Sequence, residues 1–407
     1  MTPPAHPEHH AEHHPEQYAP TLDLLCELLG TDTDRPPAEL LHHARTVSFT
    51  LPPLLLSAAV HAGRPTGTGS DDELRRHRTR LATYDRIAAA VAETGTRVVK
   101  GPALARFQPP WAVRTCGDLD LLAPGEAELW QAARRISELL PVHDIQLTLI
   151  GSGPGRHLMV GLGAPSPEPW LDPELKIELA TFAYPGDWET VPLRAAMPEH
   201  DATAQLLAVA EERFQRPFTV RDVLDCAAVL TSAEAPAPIA LAETAHAWHL
   251  APELLELTEF ARSFPTLAPL VDEAWQARLA PAAATERARR AGLRPDRADE
   301  DAPPGESGPE RTRRRLASGG PVPARLADGY PVFGIALQVD HPFAPADRAV
   351  LHTVDDSTVL TTPLGAFLLV SRELVDPAAY RRAVDFATAL AAGDAATDTP
   401  REQRGAS

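Results

Sequence analysis

The 407 residues carry 44% apolar side chains, an ordinary share for a folded protein, and the length suffices for two or three domains with a sizeable core. A formal charge of −18 argues against a general nucleic-acid binder, whose affinity rests on a basic surface, and makes small substrates the better fit. Three widely spaced cysteines, no signal-peptide pattern and no apolar run of ~18 residues make a reducing cytoplasm the expected compartment, with no membrane partner.

Cys26, Cys116 and Cys226 are each expected to be small buried hydrophobes. The 42 prolines, and a basic set of which only Lys100 and Lys176 are lysines, suggest a GC-rich genome. Arginine is therefore the default cation, and both lysines fall in the segment that carries the chemistry below, where a compact ammonium suits a phosphate oxygen.

Residues 1–20 hold His6, His9, His10, His13 and His14 among prolines and glutamates, and read as a disordered tail. His10 with His14, or His9 with His13, would chelate a transition metal only if the tail became helical. Residues 21–95 form an N-terminal helical layer: Leu22, Leu24, Leu25, Leu28 and Leu29, then Leu40, Leu41 and Leu54–Leu56, recur at helical spacing broken by prolines. Its last helix, 71–93, is strongly polar, and the run Arg75, Arg76, His77, Arg78, Arg80 is expected to be a solvated face.

Residues 96–196 carry the core. A strand over 97–100 turns at Lys100-Gly101-Pro102 into a helix over 102–107, which leaves free backbone N–H groups near Gly101 suited to phosphate. The strand 117–122 places Asp118 and Asp120 on one face and Leu119 and Leu121 on the other. Two like charges held together there require a cation, and a carboxylate pair downstream of a phosphate turn is the minimum equipment for a nucleoside triphosphate with Mg²⁺. A helix over 126–140 and strands over 142–150 and 157–162 follow, with Gly151 to Gly155 read as a hairpin loop. After a proline-rich excursion over 164–173, the strand 175–179 alternates so that Lys176 and Glu178 share its polar face.

Helices over 202–214, 220–230, 240–249, 253–264 and onward to 290 build a helical lobe, 197–290. Asp222 and Asp225 are expected to be structural, and His246 and His249 ordinary helix residues. A linker, 291–320, leads to a C-terminal β-rich unit, 321–392, with strands over 332–339, 349–354, 358–361 and 367–370 and a closing helix over 377–390; 393–407 reads as a disordered tail.

Lys100-Gly101 with Leu104, then Arg114, Gly117, Asp118, Asp120 and Leu121, resembles the uncharacterised nucleotidyltransferase family within the DNA polymerase β-like superfamily. Leu175-Lys-Ile-Glu-Leu179 resembles the later strand that supplies the third carboxylate, and Arg221-Asp-Val-Leu-Asp225 the helical segment after it, so the resemblance spans about 20–280. It implies an α+β fold, a small mixed β-sheet core flanked by helical layers, in which Asp118, Asp120 and Glu178 are catalytic and hold Mg²⁺. It also implies that Lys100 and Gly101 hold the triphosphate, with ATP the expected one, and that Arg114 or Lys176 neutralises phosphate charge. The expected reaction moves a nucleoside monophosphate to a hydroxyl of an unidentified small-molecule or peptide acceptor. Two departures stand out: Lys-Gly replaces the superfamily's commoner Gly-Ser, and the third acid is followed by Leu179-Ala180 where relatives commonly have Leu-His. A non-catalytic nucleotide- or peptide-binding accessory, and a toxin-like nucleotidyltransferase acting on transfer RNA, remain open readings, the −18 charge weighing against the second.

Overall fold

In the computed structural model, which describes residues 18–293, 308–317, 319–339, 341–371 and 375–397, the period-2 segments assemble one mixed sheet of nine strands. They are β1 (Arg97–Val98), β2 (Asp118–Leu122), β3 (Asp144–Ile150), β4 (His157–Ala164), β5 (Leu175–Ala180), β6 (Pro331–Ala336), β7 (Val350–Val354), β8 (Ser357–Thr362) and β9 (Gly365–Val370), in the order β1-β2-β5-β4-β3-β6-β9-β8-β7. Only β2 and β5 pair in parallel. The remaining neighbours are antiparallel, including the β3/β4 hairpin closed by the glycine-rich loop. The fold is α+β with helical layers, as expected.

One face of the sheet is apolar because alternate residues must point the same way. Leu119, Leu121, Ile177, Leu179, Leu149, Leu158, Val160 and Leu162 pack there against Tyr84, Ile87 and Val91 of α4 (Ser70–Val91) and Leu129, Trp130, Ala133 and Ile136 of α6 (Glu126–Leu139). α4 follows α1 (Leu22–Leu29), α2 (Pro37–Val47) and α3 (Leu51–His61), and the one-turn α5 (Pro102–Ala105) lies between β1 and β2. The helical lobe holds α7 (Asp201–Glu211), α8 (Val220–Leu230), α9 (Pro238–Ala247), α10 (Ala251–Arg262) and α11 (Glu273–Gly292). It shares one hydrophobic core with α1 to α3, so the two helical layers separated in sequence are a single body. Tyr18 joins it: within the span read as tail, its ring is buried and its hydroxyl donates to the Leu224 carbonyl at 3.1 Å. The five tail histidines lie outside the described residues.

The C-terminal strands extend the main sheet through β6, which pairs with β3 from Leu147↔Gly334 to Ile150↔Pro331. Their outer face is covered by α14 (Pro377–Thr397), with Ala383 and Ala387 against Val359, Ala366 and Leu368. The span read as linker contains α12 (Gly308–Ala317), whose Thr312 is buried, and is followed by α13 (Val322–Ala327). Residues 294–307 and 318 of that span, and 398–407 of the C-terminal tail, lie outside the described residues. His249 lies beyond α9 at φ 60°, paired with Glu286 at 3.0 Å. All three cysteines are buried and free. Among the described residues no helix is long and apolar enough to cross a membrane.

The basic run on α4 is a solvated face only in part: Arg75 and Arg78 are exposed, while the rest of the run is partly or fully covered. Arg75 and Arg76 pair with Asp72 and with Glu168 and Asp172 of the excursion, and Arg80 is buried. The Arg80 guanidinium donates to the carbonyls of Cys116 (3.1 Å), Gly117 (2.9 Å), Pro173 (2.8 Å) and Glu174 (2.6 Å), and to the Tyr84 hydroxyl (3.0 Å). Tyr84 in turn donates to the Gly117 carbonyl at 3.0 Å and accepts from the Lys176 N–H at 3.3 Å. One side chain thus fastens the entries of the two parallel strands, where no turn joins them. Arg80→Met would take a donor from four carbonyls, the Cys116 one buried and the others partly so, so urea unfolding of this variant should show a loss of about 3 kcal/mol.

Candidate functional site

The parallel pairing of β2 with β5 sets Asp118 against Lys176 and Asp120 against Glu178. Even-numbered residues of both strands face away from the apolar core, so the three acids share one half-buried face. Adjacent strands lie about 4.8 Å apart, which brings Asp120 and Glu178 side by side. On the far side of Glu178, β4 presents Gly161, which has no side chain to cover it. The acids open into a cleft of about 400 Å³ between the sheet and the helical lobe. Burial first, and then the Asp118 charge, push the Asp120 carboxyl up to about 8 against the pull of Lys100. The same two causes raise Glu178.

Gly101 adopts φ 52°, and a Cβ there would lie 2.9 Å from the Asp118 carbonyl oxygen, so this tight approach of the β1–α5 turn to β2 needs glycine. The phosphate turn expected here is much reduced. α5 has one turn, Pro102 has no N–H, and the N–H groups of Ala103 and Leu104 bond to the carbonyls of Lys100 (3.0 Å) and Gly101 (3.2 Å). Lys100 does line the cleft, paired with Glu212 from the turn after α7. Burial works against its charge, but Glu212 and Asp120 more than reverse this and hold its pKa above the usual lysine value.

Arg114, expected to neutralise phosphate, lines the cleft and is paired there with Asp225. It makes two bonds to Asp225 (2.6 and 2.7 Å) and one to the Gly101 carbonyl (2.9 Å), tying α8 to the turn before α5. This explains Asp225 as a structural acid. Asp222 is another: it closes a capping box with Thr219 and pairs with Arg216 at 2.7 and 2.9 Å. Lys176 stands opposite Asp118 in register with a side chain 60% exposed, 3.9 Å from Glu174.

Arg221 and Phe49 also line the cleft and were not singled out as site residues from sequence. Arg221 approaches Asp225 only to 4.0 Å, because Arg114 already occupies both of that carboxylate's oxygens. Burial and the Arg114 charge lower its pKa, so it is a cation poorly neutralised by its surroundings. The resembling segment 221–225 contained this signal. Phe49 had none, being a lone aromatic in an unremarkable turn.

Among the described residues no group of three His, Cys, Asp or Glu side chains is arranged as a preformed metal cage. The donor chemistry nonetheless fits Mg²⁺, which takes one or two carboxylates and completes its shell with water and substrate phosphate. The face offers carboxylate oxygens in excess of cations, and burial first and then the Asp118 charge raise Asp120 and Glu178, costs that a divalent ion would offset.

No family model matches the chain, and no curated protein matches it. Among solved structures, JHP933 from Helicobacter pylori is similar at 13% identity over 53% of this chain and 93% of that one, with a TM-score of 0.28.

The raising of Asp120 and Glu178 has a measurable sign. The native state keeps protons on Asp120 and Glu178 that the unfolded chain has lost, so in divalent-free buffer these groups cost no stability below the unfolded values near pH 4 and progressively more as pH rises towards about 8. Thermal unfolding from pH 5 to 8.5 should show Asp120→Asn gaining on the wild type as pH rises; a difference that is flat in pH would mean Asp120 is not raised.

Proposed function

We propose that this chain is a Mg²⁺-dependent nucleotidyltransferase that moves a nucleoside monophosphate from a triphosphate, with ATP the expected donor, to a hydroxyl of a small-molecule or peptide acceptor. The observation that carries the reading is the parallel register that sets Asp120 beside Glu178, with Asp118 on the same face, at the wall of a cleft that also holds cations. Asp118 and Asp120, with help from Glu178, would hold Mg²⁺. When bound, Mg²⁺ supplies the positive charge that eases ionisation of the attacking hydroxyl and stabilises the departing oxygen.

The acceptor oxygen forms a bond to the α-phosphorus as the bond to the bridging oxygen breaks, and pyrophosphate leaves. The acceptor proton passes to Glu178, whose affinity for protons is raised by burial and by Asp118. Arg221, the least neutralised cation in the cleft, faces the phosphates, while Lys100 adds charge from the Glu212 pair. Arg114 acts by holding Gly101 and α8 in place. Much of the acceleration would come from positioning in a cleft enclosed by sheet and helices.

The double variant Asp118→Asn, Asp120→Asn should lose Mg²⁺-dependent triphosphate binding by calorimetry and pyrophosphate release, while its metal-free melting temperature holds or rises. Unfolding of the double variant would make the acids structural and end the catalytic reading. Wild-type binding without pyrophosphate release against any hydroxylated acceptor would favour a nucleotide-binding accessory. Arg221→Gln should weaken triphosphate binding roughly tenfold or more with little change in melting temperature, since it removes a charge-assisted contact to phosphate and breaks no close ion pair.

A further inference from the structure

The cleft contains an aromatic side chain that the reaction above does not use. Phe49 is 70% exposed, and of the exposed large apolar side chains among the described residues it alone lines this cleft. Leaving a phenyl group in water forfeits its burial, so its position calls for a reason.

Phe49 is not loose. It sits at the apex of the turn between α2 and α3, where the Ser48 N–H bonds to the Ala44 carbonyl (3.0 Å) and the Leu51 N–H to the Ser48 carbonyl (3.1 Å). The Ser48 hydroxyl accepts from the Thr50 N–H (3.3 Å) and pairs with the Thr50 hydroxyl (2.8 Å), and Thr50 is itself buried. The flanking residues are fixed and the ring is presented. Its tip reaches Gly117, the residue before Asp118: a Cβ on Gly117 would lie 3.4 Å from the Phe49 Cζ. The N-terminal helical layer thereby places an aromatic ring against Gly117, the residue before the first carboxylate of the site.

We propose that Phe49 is the stacking platform for the base of the nucleotide, an inference that rests on the reading of the cleft as a triphosphate site. A flat heteroaromatic ring is the class of ligand that gains from a rigid, exposed phenyl face; an aliphatic acceptor would gain little from it. Stacking is nearly indifferent to base identity, so the platform binds purine and pyrimidine nucleotides alike and contributes affinity more than selectivity.

The test uses the full chain and calorimetric titration with Mg²⁺ and each of the four nucleoside triphosphates, alongside inorganic tripolyphosphate as the probe that lacks a base. Phe49→Ala should weaken every nucleotide by about tenfold, the effect of losing one stacked base, and leave tripolyphosphate binding unchanged. Phe49→Trp should retain nucleotide affinity and add, over the emission of the six tryptophans already present, a component that is quenched by nucleotide and not by tripolyphosphate. Nucleotide binding by Phe49→Ala equal to the wild type, or an equal loss for tripolyphosphate, overturns the stacking role and leaves the triphosphate reading standing. If the wild type binds none of the four triphosphates, that reading falls and the platform falls with it.

Discussion

Three carboxylates on one face of a sheet repel one another, and the structure is organised around holding them there. Asp118, Asp120 and Glu178 belong to strands far apart in sequence, joined by no hairpin and paired in parallel. Parallel pairing by itself leaves register to side-chain pattern, and a slip of one residue would turn Glu178 into the core. The apolar alternation of Leu119, Leu121, Ile177 and Leu179 against α4 and α6 opposes that slip from beneath. Arg80 opposes it from the strand entries, where one guanidinium bonds to carbonyls on both sides. A buried cation that serves backbone carbonyls and the Tyr84 hydroxyl keeps its hydrogen bonds without drawing on the acids of the cleft.

The cleft's other charges follow from the same constraint. Lys100, Arg114 and Arg216 are each matched by an acid of the helical lobe, respectively Glu212, Asp225 and Asp222. The first two tie the lobe to the segment between β1 and β2, and the third lies within the lobe; the Arg114–Asp225 pair is almost wholly out of water, where losing one partner leaves the other uncompensated. What they leave over is the carboxylate face on one side and Arg221 on the other. On the function proposed above, that residual arrangement would receive a divalent cation bound to phosphate, and it arises because the matched pairs are satisfied internally.

The N-terminal helices take part in this site as well as in the core. They share one hydrophobic cluster with the lobe, and the turn between α2 and α3 carries Phe49 to Gly117. At the opposite end of the sheet, β6 to β9 extend the β3 edge and are capped by α14. The sheet therefore runs unbroken from the carboxylates to the C-terminal strands.

The amino-acid sequence by itself determined the periodic elements and the acids. Alternation in 118–122 and 175–180 assigned Asp118, Asp120 and Glu178 to polar faces, and helical spacing found the lobe, because both periods are set by local backbone geometry. Which element meets which was decided only in three dimensions. Arg114 is a cation in the right place by sequence, yet its charge is spent on Asp225, 111 residues away. Arg80 looked like part of a solvated face until the excursion after β4 folded over it. The C-terminal strands read as a separate unit because strand pairing at β3 and β6 leaves no mark in either segment alone. Phe49 gave no sign at all, since exposure beside a cleft is a property of the neighbours and not of the residue. Ion pairs, sheet order and open surface depend on contacts between residues distant in the chain, and such contacts are fixed by the packing of the whole.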